Sequence, residues 1–220
     1  MLIETFADLT CPWCYIGKHR LARALAERPR VNPTVRWQPF QLNPDMQRRG
    51  MDRGAYLVAK FGGVERARQL HLMAEETAQR DGIPMALDLI RRMPNTLDAH
   101  RLIRIAGRRG LDSAMADILF HAYFAQGLDI GDRDVLVEKA GALGLDGEEV
   151  RRLLDSDAET ASIQAADGLA RQFGLQAVPC YVFNRRYALS GAQEPASFLP
   201  LLDLALDEQE AASPVADYAP

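Results

Sequence analysis

The chain has 220 residues, of which 48% are hydrophobic and 25% charged, and its formal net charge is −4. That suits one large domain, or one domain with a sizeable insertion, and gives no electrostatic claim on nucleic acid or an anionic membrane. Three cysteines are too few for a disulfide scaffold, and no apolar run is long enough to span a bilayer.

The N-terminus, Met1-Leu2-Ile3-Glu4-Thr5-Phe6, has neither a basic region nor an apolar stretch of the secretory kind. A cytoplasmic location is therefore expected. Leu2 to Ala7 is rich in β-formers and reads as a strand. From Pro12 to about Glu27 the periodicity is helical, with Ile16, Leu21, Ala24 and Leu25 on one side. Pro12 suits a first helical position, where its missing N–H is not needed. Val35 to Phe40 reads as a second strand. The three elements form a βαβ unit with Cys11 at the strand-to-helix turn.

From Asp52 to about Gly174 the pattern is helical. Candidate helices are Asp52–Phe61, Val64–Asp81, Thr96–Arg109, Asp112–Gln126, Arg133–Leu143, Gly147–Leu154 and Asp157–Phe173. Asp112, Asp132 and Asp157 stand where N-caps would, and Gly110 and Gly174 where left-handed C-caps would. Arg101, Arg104, Arg108 and Arg109 read as a solvated helix face, with phosphate or glutathione contact a weaker alternative. Strand character returns at Ala177 to Asn184. A turn at Asn184-Arg185-Arg186, a short strand Tyr187 to Ser190 and a helix from about Glu194 to Leu206 complete the order. The fold class is thus α/β, β-α-β … β-β-α, with a large all-helical insertion. Residues 1–50 and 174–208 form one domain, 51–173 the inserted subdomain, and 209–220 a flexible tail.

Cys11-Pro12-Trp13-Cys14 carries the chemistry. Cysteines three apart at a helix start lie on one face, and their sulfurs can close a small disulfide. Cys11 faces the unpaired N–H groups and the positive end of the helix, which favour thiolate. Cys11 is expected to attack and Cys14 to resolve the mixed disulfide. Trp13 brings no charge to the site, so the centre is expected to be a milder oxidant than the strongest dithiol oxidants, at ~−120 mV. A structural metal half-site and an inert pair are the alternatives. Zinc would need two further ligands, and His19, His71, His100 and His121 do not supply them at regular spacing. Haem attachment fails because Tyr15 follows Cys14. Nucleotide and flavin fingerprints are absent.

Val178-Pro179 opens the third strand. A trans peptide is the default there; a cis one would set an open backbone edge beside the helix start, where an extended substrate could pair. Cys180 follows, and a buried inert thiol is favoured over a regulatory one.

These residues resemble the DsbA-like thioredoxin-fold superfamily and, within it, the cytosolic FrnE-like oxidoreductases. The resemblance rests on Cys11-Pro12-Trp13-Cys14-Tyr15-Ile16-Gly17 and on Trp37-Gln38-Pro39-Phe40-Gln41-Leu42-Asn43-Pro44. Asn95-Thr96-Leu97-Asp98-Ala99-His100-Arg101, Ala122-Tyr123-Phe124, Asp129-Ile130, Val178-Pro179 and Ser190-Gly191-Ala192-Gln193 extend it over nearly the whole chain. It implies a thioredoxin fold with a helical insertion, a cis Pro179 packed against the CxxC, and disulfide oxidoreductase or isomerase activity on protein or small thiols. It implies no tightly bound cofactor beyond the redox-active disulfide, leaves glutathione open as a co-substrate, and is compatible with a homodimer. Two departures stand out. The family's proline is commonly followed by an aromatic residue where this chain has Cys180, and the extra CxxxxC pair of some FrnE-like proteins has no counterpart here. The rival within the superfamily is the kappa-class glutathione transferase and 2-hydroxychromene-2-carboxylate isomerase group, which uses a serine near the position of Cys11. A rival of another class is a non-catalytic, chaperone-like binding module.

Overall fold

The computed structural model describes residues 1–212. Strand β1 (Leu2–Ala7) alternates, burying Ile3, Thr5 and Ala7 on one face. It runs into helix α1 (Pro12–Ala26) and then β2 (Thr34–Pro39), which pairs with β1 in parallel. A helical block follows: α2 (Arg53–Phe61), α3 (Val64–Arg80), α4 (Leu97–Gly107), α5 (Asp112–Phe124), α6 (Arg133–Ala142), α7 (Gly147–Asp155) and α8 (Thr160–Gln172). The chain then returns through β5 (Cys180–Phe183), β6 (Tyr187–Ser190) and α9 (Pro195–Ala212). The main sheet has the order β2-β1-β5-β6, with β5 antiparallel to both neighbours. This is the expected α/β order with its helical insertion.

Several boundaries differ, for identifiable reasons. The helical block also carries a two-residue antiparallel ladder, β3 (Met51–Asp52) with β4 (Arg92–Met93), too short to show alternation. Asp132 caps α6, accepting the Asp134 N–H, as expected. Asp112 instead lies inside the first turn of α5, whose N-cap is Leu111. Asp157 precedes α8 by three residues, and Glu159 at φ 64° takes the cap position. The final helix runs on to Ala212, so part of the expected tail is helical; residues 213–220 lie outside the described residues. The turn is tight, with φ values of 47° and 58° at Asn184 and Arg185 and the Arg186 N–H donating to the Phe183 carbonyl, and three residues separate the paired Phe183 and Tyr187.

Two apolar clusters make up the core. Ile3, Leu21, Ala24, Tyr181, Phe183, Phe198 and Leu202 join α1 and α9 to the sheet. Ala7, Leu9, Tyr15 and Ile16 meet Leu102, Leu119, Phe120 and Phe124 of the insertion in the other. Tyr15, directly after Cys14, stacks on Phe120 and Phe124 at 5.6 and 5.3 Å between ring centroids. The aromatic stack thereby docks the CxxC turn onto α5.

The arginines of α4 are not one solvated face. Arg108 and Arg109 are exposed, but Arg101 is fully buried. Its guanidinium donates to the carbonyls of Leu153, Leu154, Ser156 and Ala158 and pairs with Asp98. It satisfies the last turn of α7 and the link to α8, carbonyls that a helix end leaves without partners. These partners lie some fifty residues downstream, so the spacing on α4 gave no sign of them.

Arg101→Met is expected to lower stability by about 3–5 kcal/mol, the cost of breaking a buried charged network. Denaturant titration would measure it; a loss under ~1 kcal/mol would contradict the role. Burial pushes His19 and His71 down to about 4, and also lowers His100. The unfolded chain therefore binds more protons between pH 6.5 and 4, and stability falls as pH falls through that window. The melting temperature should already drop between pH 6.5 and 5, before carboxylates protonate. A double His19→Gln/His71→Gln variant should flatten that drop.

Candidate active site

Cys11 is the N-cap of α1, with Pro12 at the first helical position. Its backbone is extended, at φ −88° and ψ 112°, while its carbonyl already accepts the N–H groups of Cys14 and Tyr15. Its Sγ accepts the Cys14 N–H at 3.4 Å and lies 3.7 Å from the Val178 carbonyl, to which the thiol donates. The sulfur therefore sits at a helix N-terminus, within reach of an aimed backbone N–H. All three cysteines are free thiols.

Cys14 sits one turn in and is 1% exposed. Burial pushes its thiol well above the ordinary range, and the neighbouring Cys11 sulfur adds to the effect. The two sulfurs are therefore inequivalent: one caps a helix at a cavity wall, and the other is held protonated behind it. Cys180 is also buried, opposite Phe6 on β1 and Ser190 on β6. The Ser190 hydroxyl reaches its sulfur at 3.8 Å, and burial again raises the thiol. The structure does not bring Cys180 into the Cys11 cavity.

The Val178–Pro179 peptide is cis. Pro179 is buried, and its carbonyl accepts the Gly191 N–H at 2.7 Å. Val178 makes no backbone–backbone hydrogen bond among the described residues, so its amide remains open beside Cys11. Gly17 explains the close fit of this corner. A Cβ there would strike the Tyr181 hydroxyl and stand 3.0 Å from Pro179 Cγ.

Sequence reasoning passed over Asp8. Its carboxylate is 1% exposed. One oxygen accepts the Thr10 N–H and hydroxyl, both at 3.0 Å, and the other accepts the Leu42 N–H at 2.6 Å. Its backbone carbonyl accepts the Cys11 N–H. The Asp8-Leu9-Thr10 spacing is an Asx turn, a signal available in the sequence; the link to Leu42 is not.

Sequence reasoning also passed over the cavity beside Cys11, of about 220 Å³. Thr10, Cys11, Pro12 and Trp13 line it together with Leu42 and residues of α2, α3, α5 and the 87–93 segment. The lining is mostly apolar, with Thr10, Tyr56, Tyr123, Arg53 and His71 among its polar groups. Among the described residues no group of three or more His, Cys, Asp or Glu could hold a metal ion.

Reduced protein treated with one equivalent of iodoacetamide at neutral pH should carry the label on Cys11, with Cys14 and Cys180 modified at least tenfold more slowly. Peptide mapping reads the result. Equal labelling of Cys11 and Cys14 would contradict the inequivalence.

The family model for the DSBA-like thioredoxin domain matches residues 2–203. A probable DsbA oxidoreductase from Streptomyces coelicolor is 32% identical and superposes with a TM-score of 0.85, over 99% of this chain and 94% of that one. A 2-hydroxychromene-2-carboxylate isomerase shares the fold at TM-score 0.70 and 18% identity, over 96% of this chain and 98% of that one. The cytosolic disulfide reductase DsbM from Pseudomonas aeruginosa, solved with GSH, shares it at TM-score 0.63 and 22% identity, with the same coverages.

Proposed function

The chain belongs to the DSBA-like thioredoxin domain family, and on that premise we propose that it is a FrnE-like, cytosolic thiol–disulfide oxidoreductase working through a Cys11/Cys14 couple. The observation that carries the reading is the placement of Cys11 Sγ. It lies between the Cys14 N–H and the Val178 carbonyl, at a cavity wall, with a protonated Cys14 behind it.

In the reductive direction the Cys11 thiolate attacks one sulfur of a substrate disulfide. The substrate S–S bond breaks, a mixed disulfide forms at Cys11, and the first substrate thiolate leaves. Cys14 then gives up its proton and attacks the Cys11 sulfur. The second substrate thiol departs, and Cys11 and Cys14 are left joined. Two electrons and two protons have passed from the dithiol to the substrate. Run backwards, the same steps oxidise substrate thiols, and the poise of the compartment sets the direction. The open Val178 amide supports a role for Val178 and Pro179 in holding an extended substrate backbone. Glutathione as co-substrate is supported by the GSH-bound DsbM structure. No helix among the described residues is long and apolar enough to cross a membrane, which is compatible with the cytosolic placement.

Glutathione chemistry of the isomerase type would need a serine to activate the glutathione sulfur, and Cys11 stands near that position instead, so the redox reading is preferred. Insulin reduction by dithiothreitol should accelerate with native protein and not with Cys11→Ser. Equal precipitation rates for the two proteins would favour a binding module without turnover. The Cys11/Cys14 couple equilibrated with glutathione should be more reducing than ~−120 mV, because Trp13 supplies no charge to the site.

A further inference from the structure

The cavity beside Cys11 contains one cationic side chain with no carboxylate partner. Arg53, the first residue of α2, lines it. Its guanidinium donates to the Leu87 carbonyl and lies 3.4 Å from His71 Nδ1. Among the described residues it makes no ion pair. Burial pushes His71 down to about 4, so near neutral pH it offers Arg53 a neutral partner and no counter-charge. The nearby Glu75 carboxylate is directed to the Leu87 N–H instead. Other substantially buried arginines are paired: Arg20 with Asp81, and Arg101 with Asp98. A half-buried guanidinium with N–H donors to spare, in an otherwise apolar chamber, is arranged to receive an anion from outside the chain.

The rest of the chamber restricts that anion. At about 220 Å³ it is smaller than the ~300–1,000 Å³ of a pocket for a drug-sized ligand, so the occupant is small. Leu57, Leu70, Leu87, Ile90 and Phe124 ask for an apolar body, aryl or alkyl. Cys11, also in the lining, asks for sulfur. Tyr56 and Tyr123 add hydroxyls but no positive charge, and the Tyr56 hydroxyl is already directed to Asn43.

We propose that this cavity is a binding site for a low-molecular-weight thiol or disulfide that carries an apolar body and a carboxylate, with Arg53 pairing to the carboxylate while the sulfur meets Cys11. The inference rests on the redox reading above and narrows it from thiols in general to small anionic ones. Arg53 sets specificity; the electrons come from the Cys11/Cys14 pair. The Cys11 thiolate breaks the S–S bond of the bound disulfide and forms the mixed disulfide. Cys14 then resolves it, so each turn consumes one dithiol and releases two small thiols. A dithiol reductant such as dithiothreitol returns the oxidised pair to its starting form.

The test compares two aryl disulfides under single-turnover conditions with reduced full-length protein. Dithiobis(nitrobenzoate) carries carboxylates, whereas dithiodipyridine is uncharged, and both release coloured thiols. The ratio of their rate constants should fall about ten- to hundredfold in Arg53→Gln, and Arg53→Lys should recover part of it. The same ratio in wild type and Arg53→Gln would overturn the inference and leave the redox reading standing. Failure of Cys11 to react with either disulfide faster than a free thiol would overturn both. A second measurement needs no variant: benzoate should slow alkylation of Cys11 in the native protein, and benzyl alcohol at equal concentration should not. Equal effects of the two, or none from either, would overturn the anion site.

Discussion

One buried carboxylate holds the reactive turn in place. Asp8 follows β1, and its two oxygens accept the N–H groups of Thr10, just before the helix, and of Leu42, just after β2. The loop at Gln41 is gripped in turn by α8. Asp167 accepts the Gln41 N–H, Arg171 donates to the Gln41 carbonyl, and the Arg171 guanidinium lies 4.3 Å over the Phe40 ring. A chain of charge-assisted hydrogen bonds therefore runs from the CxxC turn, through the loop after β2, into the last helix of the insertion. Without an acceptor, each buried N–H would cost about 1–3 kcal/mol. The position of Cys11 is thus set by contacts spread over more than 160 residues of sequence.

That arrangement divides labour between the two parts of the fold. The sheet and α1 supply the sulfurs and the open Val178 amide. The insertion supplies the aromatic stack under Tyr15 and the walls of the chamber that Cys11 faces. The chemistry of a dithiol is generic, and under the proposed function the walls supplied by α2, α3 and α5 would decide what reaches it. Arg53 and His71 sit on two of those helices, so under the proposed function substrate choice could change there without disturbing the helix cap at Cys11.

The legible parts of the sequence were the local ones. Four consecutive residues state the proposed redox couple, the β-forming residues of Leu2–Ala7 state a strand, and Pro12 marks the helix start. The unread parts depend on partners far away. Arg101 looks like any surface arginine until four carbonyls from the end of α7 and the loop after it close around it. Arg53, His71 and Tyr123 lie on three separate helices, and nothing in their spacing shows that they share a chamber. Cys180 was legible as a buried thiol because strand residues flank it, but its hydrogen bond from Ser190 depends on the hairpin register.

The contact between Gly17 and Tyr181 bears on how this corner can evolve. The glycine stands where the phenol needs room, and the phenol is delivered by a strand from the far end of the chain. A methyl group at 17 and a hydroxyl at 181 exclude each other. Chains with this fold are therefore expected to vary at the two positions together, with larger residues at 17 accompanying phenylalanine or smaller residues at 181. The glycine that closes the Cys-Pro-Trp-Cys-Tyr-Ile-Gly run is in this sense half of a pair, and its partner lies 164 residues away.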